Sequence, residues 1–268
     1  MDYPSRIICL TEESVETLYL LGKESLIQGV SEYVMRPPEA KLLPKVSQFV
    51  RSSYDEIEKM HPDLILGYSD IQKDVARELV GRGLTVFITQ QRSLEEILDY
   101  ILLLGRIVGE ETRSQELVSG FRKKIDEIGK KAATLPTRPK VYFEEWDKPR
   151  FSGSLWLSEM IEICGGEPLF RNRTGKLASE REVFDEEITK LNPDIILACW
   201  CGKKVQIEKI RARAGYSEIS AVKHQAIYEL DPSVFLQPGP ALFLDGLDLL
   251  SGILTEVALD IQRRGTSL

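Results

Sequence analysis

A chain of 268 residues is long enough for one large domain or for two lobes of roughly 100–150 residues each. With 43% hydrophobic and 29% charged residues it has the composition of a folded globular protein, not of a disordered one. Its 42 Asp and Glu outweigh 35 Lys and Arg, and the net charge of -7 argues against a nucleic-acid partner, which a basic face would have to meet.

Strand and helix signals alternate along the chain. Residues 6–10 read as a short buried strand, followed by a helix that opens at Thr11-Glu12-Glu13-Ser14 and repeats Val15, Leu18 and Leu21 at helical spacing. Residues 26–30 form a second strand and 64–66 a third. A helix over about 72–80 and a strand at 84–88 follow. Strands separated by helices of this length predict parallel βαβ units. No Pro occurs between Pro62 and Pro136, and within that run residues 111–133 carry Leu117, Phe121, Ile125 and Ile128 on one face. Arg122, Lys123, Asp126, Lys130 and Lys131 occupy the opposite face, and Pro136 and Pro139 end the segment. One helix of that length spans about 35 Å, and Gly120 and Gly129 weaken it without forbidding it. It is expected to be the spacer between two lobes. Beyond it come a strand at 140–143, a helix over 157–163 stopped by Gly165-Gly166, strands at 195–198 and 227–230, and a C-terminal helix from about Leu242. The expected fold is therefore α/β, with two doubly wound lobes, each around a central sheet, joined by one long α-helix. Residues 1–110 form the first lobe, 111–137 the connection and 138–268 the second lobe.

A faint internal repeat supports two lobes. Tyr54-Asp55-Glu56-Ile57 leads through His61-Pro62-Asp63 into Leu64-Ile65-Leu66, and Phe184-Asp185-Glu186-Glu187-Ile188 leads through Asn192-Pro193-Asp194 into Ile195-Ile196-Leu197. Asp55 and Glu186 stand at the same offset from Pro62 and Pro193. Helix, Pro-Asp and strand make a common junction in doubly wound folds; its repetition is what points to a two-fold architecture.

The familiar catalytic patterns are missing: no G-x-G-x-x-G follows Leu10, and there is no Walker A loop, G-x-S-x-G or H-E-x-x-H. Of the two His residues, His61 sits at a helix end, where the dipole favours it, and His224 lies in a polar loop. Cys199-x-Cys201 offers a soft metal two ligands with no second pair, and four scattered Cys do not make a disulfide scaffold. No catalytic and no metal site is expected. Nor does any stretch approach the roughly 20 apolar residues of a membrane span, and MDYPSRIICL has no signal-peptide pattern.

The aromatic residues are more informative. Ligands of doubly wound sheets meet the carboxyl ends of parallel strands. There the sequence places Tyr33, Tyr68, Trp146 and Trp200, with Phe49, Phe151, Trp156 and Phe235 in neighbouring loops. Each taken alone suits loop packing; several on one face of two lobes suit a broad, flat, partly apolar ligand.

With these features the chain resembles the class III substrate-binding proteins of ABC importers, which bind cobalamin, haem and iron–siderophores on two lobes joined by a long helix. The resemblance runs through Ile7-Ile8-Cys9-Leu10-Thr11-Glu12-Glu13, Gly29-Val30-Ser31-Glu32-Tyr33, Pro37-Pro38 and the unit ending at Pro62-Asp63. In the second half Glu145-Trp146, Phe151-Ser152-Gly153, the stretch from Trp156 to Gly166, Cys201-Gly202 and Pro238-Gly239-Pro240 with Asp245-Gly246-Leu247 look like the cobalamin branch. It implies a non-enzymatic protein that captures cobalamin or a related corrinoid between its lobes and delivers it to a membrane permease. By that resemblance Phe49 takes the place of a corrinoid-stacking aromatic, where the cobalamin branch carries Trp. Tyr33 and Trp146 face the ligand, and Asp55 and Glu186 become the paired acids that dock on permease arginines. Asp55 is shorter than the usual Glu, and Gln237 stands where the branch often has Arg. A monomer outside the cytoplasm is the expected state by resemblance, although the leaderless sequence leaves a cytoplasmic location open. Haem or a ferric siderophore is the alternative ligand, the latter kept open by Lys203-Lys204. A two-lobed enzyme such as a glycosyltransferase is the alternative class, against which stands the lack of a Gly-rich phosphate turn.

Overall fold

Ile7, Ile8 and Cys9, all fully buried, form the first strand β1 (Ile7–Cys9) at the heart of a six-stranded sheet. The computed structural model describes residues 3–173 and 177–265 and divides into two α/β units, residues 1–121 with 237–241 and residues 122–236 with 242–268.

In the first unit β1 is followed by α1 (Glu12–Leu20), β2 (Ile27–Ser31), β3 (Lys45–Gln48), β4 (Arg51–Ser52), α2 (Tyr54–Lys59), β5 (Leu64–Tyr68), α3 (Lys73–Gly81), β6 (Val86–Thr89) and α4 (Leu94–Ile107). The sheet runs β4-β3-β2-β1-β5-β6 and is parallel except for β4, with Ile8 opposite Gly29 on one side and Ile65 on the other. Val15, Leu18 and Leu21 pack under it beside Tyr100 and Leu104 of α4. The helix α4 escaped the sequence reading. It opens on a capping box, in which the Ser93 hydroxyl accepts from the Glu96 N–H and the Glu96 carboxylate accepts from the Ser93 N–H.

The long helix α5 (Glu111–Ala132) lies where the sequence places it, and the chain passes from one unit to the other inside it. Its buried stripe is Ser114, Val118, Phe121 and Ile128, rotated slightly from the expected one, so that Leu117 and Ile125 are only partly covered. Within the second unit Lys124 fastens it, donating to the Leu244 carbonyl and pairing with Asp248, both at 2.6 Å.

The second unit continues with β7 (Lys140–Asp147), β8 (Arg150–Ser152), α6 (Leu155–Ile163), β9 (Glu167–Pro168), α7 (Asp185–Leu191), β10 (Ile195–Ala198), α8 (Ile207–Arg211), α9 (Ser220–Lys223), β11 (Ile227–Glu229), α10 (Pro232–Phe235) and α11 (Leu247–Gly265). Its sheet runs β11-β10-β7-β8, with β9 also on β7. Parallel pairing of β11, β10 and β7 confirms the βαβ reading. Strand β7 is twice the expected length: it turns back at Lys148-Pro149 and pairs antiparallel with β8. The last helix begins at Leu247, after one wide turn over Leu242–Gly246.

Candidate functional site

In the first sheet β2 and β3 step away from β1 in one direction, β5 and β6 in the other. The strand order therefore reverses between β1 and β5, and the crevice beyond their carboxyl ends is where open α/β sheets take ligands. Tyr33, just past β2, is 55% exposed there. Phe49, just past β3, is half-buried with φ at 49°. That left-handed backbone costs a bulky residue on the order of 1–3 kcal/mol and persists only where its surroundings enforce it. Gln72 does so from a fully buried position. Its Nε2 donates to the Phe49 carbonyl at 2.8 Å while its Oε1 accepts the Tyr68 N–H at 3.0 Å. Gly67 makes room, since a Cβ there would lie 2.5 Å from Gln72 Oε1. Tyr68 itself is buried and donates its hydroxyl to the Gln91 carbonyl at 3.1 Å, so it braces this edge and presents little ring surface.

Two buried carboxyls open α1 directly beyond β1. Burial pushes Glu13 up to about 8, against the Thr11 hydrogen bond and with Glu12 adding to the rise; burial also raises Glu12, against its bonds to Ser31 and Gln237. Gln237–Ala241 covers them, and Gly239 lies so close that a Cβ there would meet Glu13 Cβ at 2.7 Å. Gln237, standing where the cobalamin branch often has Arg, thus has a partner of its own in Glu12.

In the second unit Trp146 and Phe151 face each other across the β7–β8 pair, both half-buried. The Trp146 indole donates to the Lys148 carbonyl at 3.0 Å, and Lys203, ion-paired with Asp147, places its Nζ 3.9 Å from the ring centroid. Trp146 thus lies within the antiparallel extension of β7, not in a loop. The other two tryptophans turn inward and correct the sequence expectation. Trp200 is 2% exposed and donates to Glu144 Oε1 at 3.1 Å. Glu144 in turn holds Arg213 at 2.5 and 2.8 Å and accepts from the Tyr142 hydroxyl. Trp156, in the first turn of α6, is buried and donates to the Phe235 carbonyl. Both rings pack the framework, because their N–H groups have interior acceptors that a buried indole requires.

Of the paired acids, Asp55 is exposed on α2, and its carboxylate meets Arg82 at 2.6 Å. Glu186 is exposed in the first turn of α7, and among the described residues its carboxylate has no charged partner. No group of three or more His, Cys, Asp and Glu side chains among the described residues is placed to hold a metal ion. Cys199 is buried with its thiol pushed up by that burial, whereas Cys201 is exposed. Sequence reasoning passed over Gln72 and Gln91, whose roles arise from distant partners, and had no use for two acids set directly after an apolar strand, a signal that was available.

Two α/β units built on largely parallel sheets fit the solute-binding proteins of ABC importers, a class of binding proteins and not of enzymes. The chain belongs to the Periplasmic binding protein family, which matches residues 7–234. It is 28% identical over 257 residues to the uncharacterized ABC transporter substrate-binding lipoprotein YvrC of Bacillus subtilis, covering 92% of this chain and 79% of that protein. It is 25% identical over 240 residues to the vitamin B12-binding protein of Vibrio cholerae, covering 88% and 84%. Among solved structures, a possible iron-binding (periplasmic solute-binding) protein from Staphylococcus epidermidis superposes with a TM-score of 0.80 at 28% identity, covering 94% of this chain and 99% of that one. The periplasmic heme-binding protein RhuT from Roseiflexus sp. RS-1 superposes with a TM-score of 0.81 at 20% identity, covering 95% and 99%, which speaks for the fold alone. No helix among the described residues is long and apolar enough to cross a membrane.

Proposed function

We propose that this protein captures cobalamin or a related corrinoid outside the cytoplasm, as a monomer, and delivers it to the membrane component of an ABC importer. The observation that carries the reading is Phe49, a half-buried aromatic ring kept in a costly backbone conformation by a dedicated, fully buried glutamine at the edge where such sheets take ligands. Tyr33 beside the same edge, and Trp146 with Phe151 in the second unit, add flat apolar surface suited to a macrocycle. The similarity to vitamin B12-binding proteins supports a corrinoid over other flat chelates. Asp55 and Glu186 are the docking acids in this reading, one on each unit, steering the encounter and fixing orientation more than adding affinity.

The test is the visible spectrum of the protein mixed with cobalamin and desalted, which should retain the corrin bands. Stacking contributes on the order of 1–3 kcal/mol per aromatic contact, so Phe49→Ala or Trp146→Ala should weaken binding, read by calorimetry, about tenfold or more. Retention of haem and not of cobalamin decides for haem, the alternative ligand of the sequence resemblance. Unchanged affinity in both variants removes the aromatic site.

A further inference from the structure

At the carboxyl end of β6 the first unit has an open groove of about 290 Å³ bounded by Gln91, Glu96, Asp99, Tyr100 and Leu103. Its lining carries two carboxylates, Glu96 and Asp99, beside Thr89, Gln90 and Gln91, whose side chains both donate and accept. Asp99 is exposed and, among the described residues, has no charged partner. Glu96 accepts from the Arg92 and Ser93 N–H groups through Oε2, and its side chain keeps further lone pairs. No Lys or Arg lines the groove.

An independent observation comes from Gln91, which is only 4% exposed. Its Nε2 donates to the Pro238 carbonyl at 3.3 Å, which fixes the amide's orientation, since the reverse would set two oxygens together. Its Oε1 is then a buried acceptor with no donor. Leaving such an atom unpaired is costly, and it marks a place where a donor is missing. Gln91 also adjoins the aromatic edge through its carbonyl, which accepts from the Tyr68 hydroxyl.

We propose that this groove is a subsite for N–H donors on the rim of the bound solute: primary carboxamides, received by Gln91 Oε1 and Asp99, with Leu103 and the Tyr100 ring edge against the adjoining methylenes. The assignment rests on the corrinoid reading and deepens it. A corrinoid carries carboxamides around its rim, whereas haem and most siderophore chelates bring carboxylates or other anions, which a groove with two acidic side chains and no cation disfavours. A free alkylammonium shares the donor chemistry and is the other source to be separated.

The experiment compares cobalamin with its monocarboxylic acids, in which one rim amide is hydrolysed, on the wild-type protein and on Asp99→Lys, an exposed position that leaves the core untouched. The wild type should prefer cobalamin over at least one monocarboxylic acid by about tenfold or more, because a built acceptor site rejects an analogue that cannot donate. Asp99→Lys should erase or invert that preference, and cobalamin should shift the Gln91 side-chain amide in nitrogen–proton spectra. Cobalamin that binds with the same preferences in both proteins and leaves the Gln91 amide unmoved overturns the subsite while leaving the corrinoid reading intact. If cobalamin does not bind at all, the corrinoid reading falls. Propylammonium then decides: an Asp99-dependent shift of Gln91 keeps a donor site for amines, and no shift overturns it.

Discussion

A carboxyl packed as closely as that of Glu13, 2% exposed and next to a second buried acid, is accepted by the fold in its protonated form. Its raised value means that the folded chain holds a proton which the unfolded chain releases near 4.5. The stability that this proton confers is complete below that point and is lost as pH rises toward about 8, with Glu12 acting in the same direction. The slope is about 1.4 kcal/mol per pH unit for each such group. Denaturant titrations between pH 5 and 8 should therefore show the wild type losing stability with pH and Glu13→Gln responding less steeply; equal slopes would mean that Glu13 is ionised in the folded protein. At this scale the sequence conveys residue type but not direction. Tyr33, Phe49 and Trp146 could be read as strand-end aromatics that remain at least partly open. Trp200 has the same sequence setting and turns inward, because Glu144 and Arg213, far apart in the chain, build an acceptor behind it.

Elements that carry their own signal were legible. Strand β10 lies where four consecutive apolar residues after Pro193-Asp194 place it, and α5 matches its proline-free amphipathic run to within a residue at its end. Helix α4 carries its own signal too, in its capping box and in the spacing of Leu94, Ile97, Leu98, Ile101 and Leu104. The two-residue strand β4 and the three-residue β8 have no signal of their own, since each is defined by the partner strand it folds back on. Within α5, Gly120 and Gly129 face open space, and a Cβ at either would meet nothing within 4 Å. Replacing either by Ala should raise stability by about 0.5–1 kcal/mol, seen as a higher melting temperature, through helix propensity alone. No change in both variants would show that these positions are constrained by something other than local helix energetics.

For the whole molecule, the two proposed docking acids are not equivalent. Arg82 already holds Asp55, together with Glu58 and Glu78, whereas the Glu186 carboxylate has no such competitor among the described residues. A permease arginine would have to displace Arg82 on the first unit and nothing comparable on the second. Glu186→Lys should accordingly impair stimulation of the importer's ATPase more than Asp55→Lys, with the double reversal abolishing it and solute affinity unaltered in all three. Normal stimulation in the double variant would reduce both acids to helix-terminus charges.

The stretch Gln237–Ala241 belongs with residues made long before it. A ribosome that has just finished α4 has still to translate about 130 residues, on the order of ten seconds of synthesis, before Gly239 exists to close over Glu13. Throughout that interval the nascent first half carries its acid pair uncovered and hydrated, and Gln91 lacks the Pro238 carbonyl that orients it. Its final tightening is thereby deferred until the end of the gene has been read, so a message truncated after α5 yields a half that has its sheet but not its closure.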